Sequence, residues 1–334
     1  MARSLPRSAW PTADREAWEL VCRPGRRLSR GGAASGMKPI SRDMHARHYG
    51  YFLGCCAGVG LLDLNAEAAG HVTPTAINRF LSDLQNVGSV TRANYLTKVR
   101  RMAELLAPQR EFSWLREIEA GLKEDARPQW KANRVVESDR LLALGIELMR
   151  RAEKAPSMTA NERRRTYRDG LMIALLALCP VRLKNLVGLR IGQQIREVDG
   201  SWWIVLDGSE TKTGRADERP IAPILTPFIR AWIDRWRPSF SQGNDWFWPS
   251  WKARLAYTYV GTVISRVTHR ELGVTVNPHL FRDSAVLTVA NHAGAHMEIA
   301  SGLLQHTDPR VTEEHYNKGA STEAARRFQK LLGL

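Results

Sequence analysis

The chain has 334 residues, enough for two domains of ordinary size. Hydrophobic residues make up 43% and charged residues 25%, which excludes wholesale disorder, collagen and coiled-coil architectures. Lys and Arg number 49 against 34 Asp and Glu, a net charge of +15 shared by both halves, so the expected partner is a polyanion, nucleic acid before a membrane surface.

The opening residues, MARSLPRSAWPTADREAW, lack the continuous apolar run of a secretory signal. The stretch up to residue 36 closes in RPGRRLSRGGAASG, whose Arg, Gly, Ser and Pro predict a flexible basic arm over 1–36. Residues 37–125 carry helical signals. Thr73-Pro74 sets an N-cap ahead of a proline at the first helical position, and Ser89 or Thr91 opens a longer helix that stops at Pro108. In that helix Tyr95, Leu96, Val99, Met102 and Leu106 form an apolar stripe. Arg92, Lys98, Arg100 and Arg101 lie mostly off the stripe, which makes them candidate DNA contacts on a helical bundle, although such charge is commonly just solvated. A further short helix starts at Ser113. Residues 126–137 break the periodicity around Pro128 and predict a linker, with Lys131 and Arg134 placed to follow a DNA backbone.

The second domain is expected over 138–334. Ser138 starts one helix, and Thr159 with Glu162 forms a capping box for the next, NERRRTYRDGLMIALLAL. Between about 194 and 222 the pattern turns to β-structure, with turns at Asp199-Gly200 and Thr213-Gly214 around an apolar run, Trp202 to Leu206. Helices resume at Thr226-Pro227 and over 257–272. The aromatic cluster WFWPSW (246–251) could stack on bases, but in a chain with eleven tryptophans core packing is the more ordinary role. The fold class is mainly α, a helical domain followed by a mixed α+β domain with a small antiparallel sheet. Cys22, Cys55, Cys56 and Cys179 share no repeated spacing and fit neither a zinc site nor a disulfide framework. The longest apolar stretch, Leu171 to Cys179, is far short of the ~20 residues of a membrane span, so a reducing, cytoplasmic setting without membrane contact is expected.

Five pieces of the second domain combine into one pattern. LCPVRLKNLVGL contains Arg182, SETKTGR contains Lys212, NPHLFRDSA contains His279 and Arg282, LLQHTDP contains His306, and EEHY ends in Tyr316. Each is commonplace alone: a lysine on a hairpin is usually solvated, and a tyrosine near a C-terminus usually packs. Their order and spacing are not. The chain resembles the tyrosine recombinases of the phage-integrase type, whose signature is Arg, Lys, His-x-x-Arg, His and Tyr in that order. His306 follows Arg282 by 24 residues and Tyr316 follows His306 by ten, as in that family.

The resemblance implies a helical, SAM-like core-binding domain and a catalytic domain whose small sheet carries the lysine. It implies site-specific recombination or integration through a 3′-phosphotyrosyl intermediate and a Holliday junction, with neither metal nor cofactor. Arg182 and Arg282 would hold the non-bridging phosphate oxygens through bidentate, charge-assisted bonds. Tyr316 would be the nucleophile, Lys212 the acid for the leaving 5′-oxygen, His279 a base or phosphate ligand, and His306 a hydrogen-bond donor to the phosphate. Partners would be double-stranded DNA and three further copies, a tetramer on paired sites from a monomer in free solution, with an amphipathic tail over 320–334 coupling them. Pro180, Asn185 and Gln305 depart from the family pattern at supporting positions, Asn185 by replacing a carboxylate with an amide. A non-recombining DNA-binding relative and a type IB topoisomerase share parts of the pattern. The presence of all six reacting groups argues against the former, and the His-x-x-Arg pair with the helical N-terminal domain argues against the latter.

Overall fold

The computed structural model describes residues 4–28, 30–127, 132–211, 214, 216–240, 243–251, 253–292, 300, 303 and 304. The chain divides into two compact units, Met1–Trp130 and Lys131–Leu334.

Among its described residues the first unit has five α-helices: α1 (Thr12–Cys22), α2 (Pro39–Gly58), α3 (Pro74–Asp83), α4 (Ser89–Leu106) and α5 (Ser113–Glu124). The Thr73 hydroxyl caps α3 by accepting from the Ala76 amide at 3.3 Å, with Pro74 where its missing N–H costs nothing. The stripe of α4 turns Leu96, Val99, Met102 and Leu106 into the core, where they meet Phe52, Ile77, Phe80 and Leu115.

Residues 1–36 depart from the expected flexible arm. Trp10 and Trp18 are buried in the same core, and α1 carries the fully buried Asp14. Its carboxylate accepts from the Tyr49 hydroxyl at 2.8 Å and the Ala69 amide at 2.6 Å, which pins α1 to α2 and to the loop before α3. The glycines that look like a flexible linker serve a close approach: a Cβ on Gly32 would lie 2.4 Å from the carbonyls of Leu20 and Val21, and its amide donates to the Arg23 carbonyl at 3.0 Å.

In the second unit α6 (Ser138–Lys154) and α7 (Ala160–Leu178) cross at Gly145 and Gly170, where either glycine's Cβ would fall 2.6–2.7 Å from the other's carbonyl. The Thr159–Glu162 capping box opens α7 as the sequence predicts. The short α8 (Leu183–Val187) follows, then β1 (Ile195–Val198), β2 (Ser201–Leu206) and β3 (Asp217–Pro220), an antiparallel sheet in sequential order. Asp199 and Gly200, with φ of 49° and 76°, make the two-residue turn that brings Val198 opposite Ser201. Helices α9 (Thr226–Ala231), α10 (Tyr257–Leu272) and α11 (Leu280–His292) complete the described part. Gly273, left-handed at φ 71°, ends α10. The all-round apolar end of α7 sits at the centre of the core with Tyr167, Trp232, Phe247, Trp248 and Phe281.

The fold is thus mostly helical with one small sheet. Among the described residues no helix is long and apolar enough to cross a membrane, and no group of three or more His, Cys, Asp or Glu residues could hold a metal ion. All four cysteines are free. Burial raises every thiol, Cys55 to about 12 and Cys56 and Cys179 to about 11; Cys22 is also raised but is the one that reaches partly to the surface.

Candidate active site

Arg182 stands at the N-cap of α8, its backbone extended (φ −65°, ψ 142°) and its carbonyl accepting from the Asn185 and Leu186 amides at 2.8 and 3.0 Å. This places the half-buried arginine where the buried end of α7 meets the surface. Arg282 comes from the first turn of α11 and is only 6% exposed. Its Nη1 donates to the Pro180 carbonyl at 2.8 Å and its Nη2 to the Leu304 carbonyl at 2.5 Å. The main-chain carbonyl at Pro180, which any residue there would supply, thus aims the second arginine. Leu304 is buried two residues ahead of His306, so the same guanidinium ties α11 to the segment that carries that histidine.

Burial, together with the like charges of Arg182 and Arg219, brings the Arg282 guanidinium down to about 10, against the opposing pull of Asp217 and Asp283. It is charged at neutral pH, and among the described residues no carboxylate pairs with it directly. A buried cation held by neutral carbonyls beside a second arginine makes a positive hole suited to an anion.

His279 lies in the turn before α11 and is exposed. Asn277 shapes that turn, its Oδ1 accepting from the His279 and Leu280 amides at 3.0 and 3.2 Å, while the Arg282 amide donates to the His279 carbonyl at 3.1 Å. The three described members of the predicted six thus lie on adjoining segments, α8 and the start of α11. Lys212, His306 and Tyr316, like the tail over 320–334, lie outside the described residues. So does Lys131. The approach to Lys212 is firm: Asp207 and Glu210 form a capping box after β2, Gln194 donates to Glu210 at 3.0 Å, and Thr211 is buried.

The predicted DNA contacts of the first unit separate. Lys98 and Arg101 stand beside buried His45; burial first, then the charges of Lys98 and Arg101, pulls that imidazole down to about 4. Arg92 is half-buried. Arg100 is not a free contact. It is claimed by Glu104 at 2.7 Å and by Glu119, an ion-pair cluster completed by Lys123. In the second unit Arg134 is exposed and donates to the Thr275 carbonyl at 3.4 Å.

Two features escape the motif. On β3, Arg219 and Asp217 form a buried two-pronged ion pair, Nε to Oδ1 at 2.9 Å and Nη2 to Oδ2 at 2.8 Å. Their i,i+2 spacing on a strand is the available signal, weak in so short an element. Next to the turn that carries His279, an open groove with a mostly apolar surface is lined by Tyr257, Thr258, Thr262, Ser265 and His269 of α10 with Leu183 and Pro278. The aromatic cluster is divided: Phe247 and Trp248 are core, Trp246 lies 4.1 Å from the Arg190 guanidinium and 5.5 Å from that of Arg254, and Trp251 is 85% exposed.

A profile described as the phage integrase family matches residues 149–323, more than half of the chain, and the matched span contains all six predicted reacting residues. The chain belongs to this family, the tyrosine-type site-specific recombinases. Among solved structures it is similar to the XerH site-specific recombinase bound to difH substrate in a pre-cleavage complex, at 14% identity and a TM-score of 0.58 over 86% of this chain and 79% of that one. XerH bound to a palindromic difH substrate in a post-cleavage complex gives 12% identity and a TM-score of 0.52 over 98% and 100%. The integrase of mycobacterium phage Brujita matches at 15% identity and a TM-score of 0.35 over 93% and 91%. At these identities the XerH likeness speaks for the fold. No curated protein sequence matches the chain significantly.

Proposed function

We propose that this recombinase cuts and rejoins duplex DNA at specific sites by transient attachment to Tyr316. The observation that carries the reading is the buried Arg282, fixed by two neutral carbonyls next to Arg182, a positive hole for the scissile phosphate. The Tyr316 oxygen attacks phosphorus as its proton passes to His279, the bond to the 5′-oxygen breaks, and Lys212 protonates that oxygen. His306 and the two arginines hold the non-bridging oxygens, where negative charge grows. The product is a 3′-phosphotyrosyl link. Attack by the 5′-hydroxyl of a partner strand reverses the step, frees Tyr316 and leaves a Holliday junction between two duplexes. Bond energy is kept throughout.

Two duplexes with two cut strands each require four protomers on paired sites, assembled from monomers in free solution. Lys98 and Arg101 support backbone contacts by the first unit, and Lys131 and Arg134 contacts at the start of the second. Arg92 fits a subsidiary contact of the first unit. Residues 37–125 act as a core-binding domain and 138–334 as the catalytic one.

The test uses a duplex selected from a randomised pool by its binding to the wild-type protein, then nicked next to the cleavage position so that religation is blocked. The wild type should become covalently attached to this DNA. Tyr316→Phe should form no covalent complex, yet bind the duplex within about tenfold, because one hydroxyl adds little to a many-phosphate interface. A covalent complex with the Phe variant would assign the nucleophile elsewhere, and relaxation of supercoiled plasmid lacking the selected site would point to a topoisomerase.

A further inference from the structure

We infer that Asp217 is a positioning residue for strand cleavage: from β3 its carboxylate supplies the negative charge that the site's buried arginines need and that no residue of α8 provides. The inference rests on the recombinase reading above and names how that site is kept in order.

The need follows from burial. The Arg282 guanidinium is nearly out of solvent, and its two partners, the carbonyls of Pro180 and Leu304, are neutral. Arg182 and Arg219 add like charges around it. A cation in such a place is unfavourable unless an opposite charge stands near. The sequence of α8, LKNLV, offers the buried amide of Asn185 and no acid.

Asp217 lies where the missing charge is required. It grips Arg219 with both oxygens, and the two side chains keep only 12% and 7% of their surface. β3 adjoins the arginine site directly, since the Pro220 carbonyl faces the Cys179 thiol at 3.8 Å and the next residue, Pro180, is the one that holds Arg282. Across this seam the Asp217 charge favours the charged form of Arg282, opposing Arg182 and Arg219. Asp283, next along α11, pulls in the same direction. The ion pair is not a closed stabilising unit: Arg219 Nη1 is buried without an acceptor among the described residues, and buried ion pairs in general add little to stability. Asp217 therefore does two things. It clasps Arg219, and it offsets excess positive charge around Arg282, so that the guanidinium stays fixed on its carbonyls, ready for the phosphate.

The experiment compares full-length variants on the nicked, selected duplex at saturating protein, recording the rate of covalent complex formation, the affinity and the thermal midpoint. Asp217→Asn should slow covalent attachment at least tenfold while affinity stays within threefold. Adding Asn185→Asp, which restores a carboxylate next to Arg182 without changing side-chain size, should recover at least half of that loss on a logarithmic scale. A purely structural role would lower the thermal midpoint and gain nothing from Asn185→Asp. Because Asp217→Asn leaves Arg219 unpaired and could unfold the domain, the same comparison is made in Asp217→Asn/Arg219→Gln, which orphans no charge. This double variant removes one negative and one positive charge together from around Arg282, so it should cleave faster than Asp217→Asn. Wild-type cleavage rates in Asp217→Asn, a double variant no faster than Asp217→Asn, or no recovery when Asn185→Asp is added to Asp217→Asn would overturn the inference alone. A wild type that forms no covalent complex would overturn the recombinase reading and the inference with it.

Discussion

Glu119 faces α4 from α5 with only 4% of its side chain exposed, and it is bound by Arg100, by Lys123 and by the Thr97 hydroxyl at 2.8 Å. Burial alone would raise its pKa, but these bonds outweigh the burial and hold it near 2, below the ordinary 4.5. A carboxyl depressed in the folded state stabilises above its unfolded pKa, and that stability is lost as pH falls towards the folded value. The Glu119 contribution should be complete above about pH 4.5 and largely gone by pH 2. At pH 7 Glu119→Gln should cost the protein about 3 kcal/mol, and the gap between variant and wild type in urea unfolding should close through that acid window. A constant gap would mean that shape, not charge, is what Glu119 supplies. The same cluster explains why Arg100 is misleading in the sequence. Its position off the apolar stripe is legible, but the acid waiting on α5, nineteen residues on, is not.

At the level of elements, the crossing of α6 and α7 rests on two glycines too close for a side chain. Gly145→Ala would place a methyl 2.6 Å from the Gly170 carbonyl and 2.7 Å from the Ala174 amide, both backbone atoms that cannot turn aside. The helices must part, at a cost of about 1–3 kcal/mol, visible as a lower thermal midpoint of the full chain. An unchanged midpoint would show that the crossing has slack. Local signals of this kind read well from sequence: the Thr73 cap, the Thr159–Glu162 box and the Asp199-Gly200 turn each need only neighbouring residues, and each forms as predicted. The residues that build the arginine hole read partly. Spacing singles out Arg182, His279 and Arg282, whereas Asp217 and Arg219 stay hidden because a four-residue strand gives too little alternation to stand out. α1 is hidden for a different reason. Its composition resembles a solvated leader, and what orders it, Asp14 against Tyr49 and Ala69, spans 35 and 55 residues.

For the whole molecule, charge is the main lever. The +15 is divided over both units, so a protein that engages DNA with each should neutralise many phosphates at once. Affinity for the selected duplex should fall steeply with salt, with a log–log slope of about −5 or steeper, since each phosphate contributes roughly −0.9. A slope near zero would exclude two-unit engagement. The buried thiols open a direct way to watch that engagement. Cys55, Cys56 and Cys179 are shut inside the cores and hard to ionise, which leaves Cys22, at the end of α1, as the one address a maleimide dye can reach. The wild-type chain can thus be labelled once, on its first unit, without a single substitution, and the tumbling of that dye would time the arrival of this unit on DNA separately from the chemistry of the second.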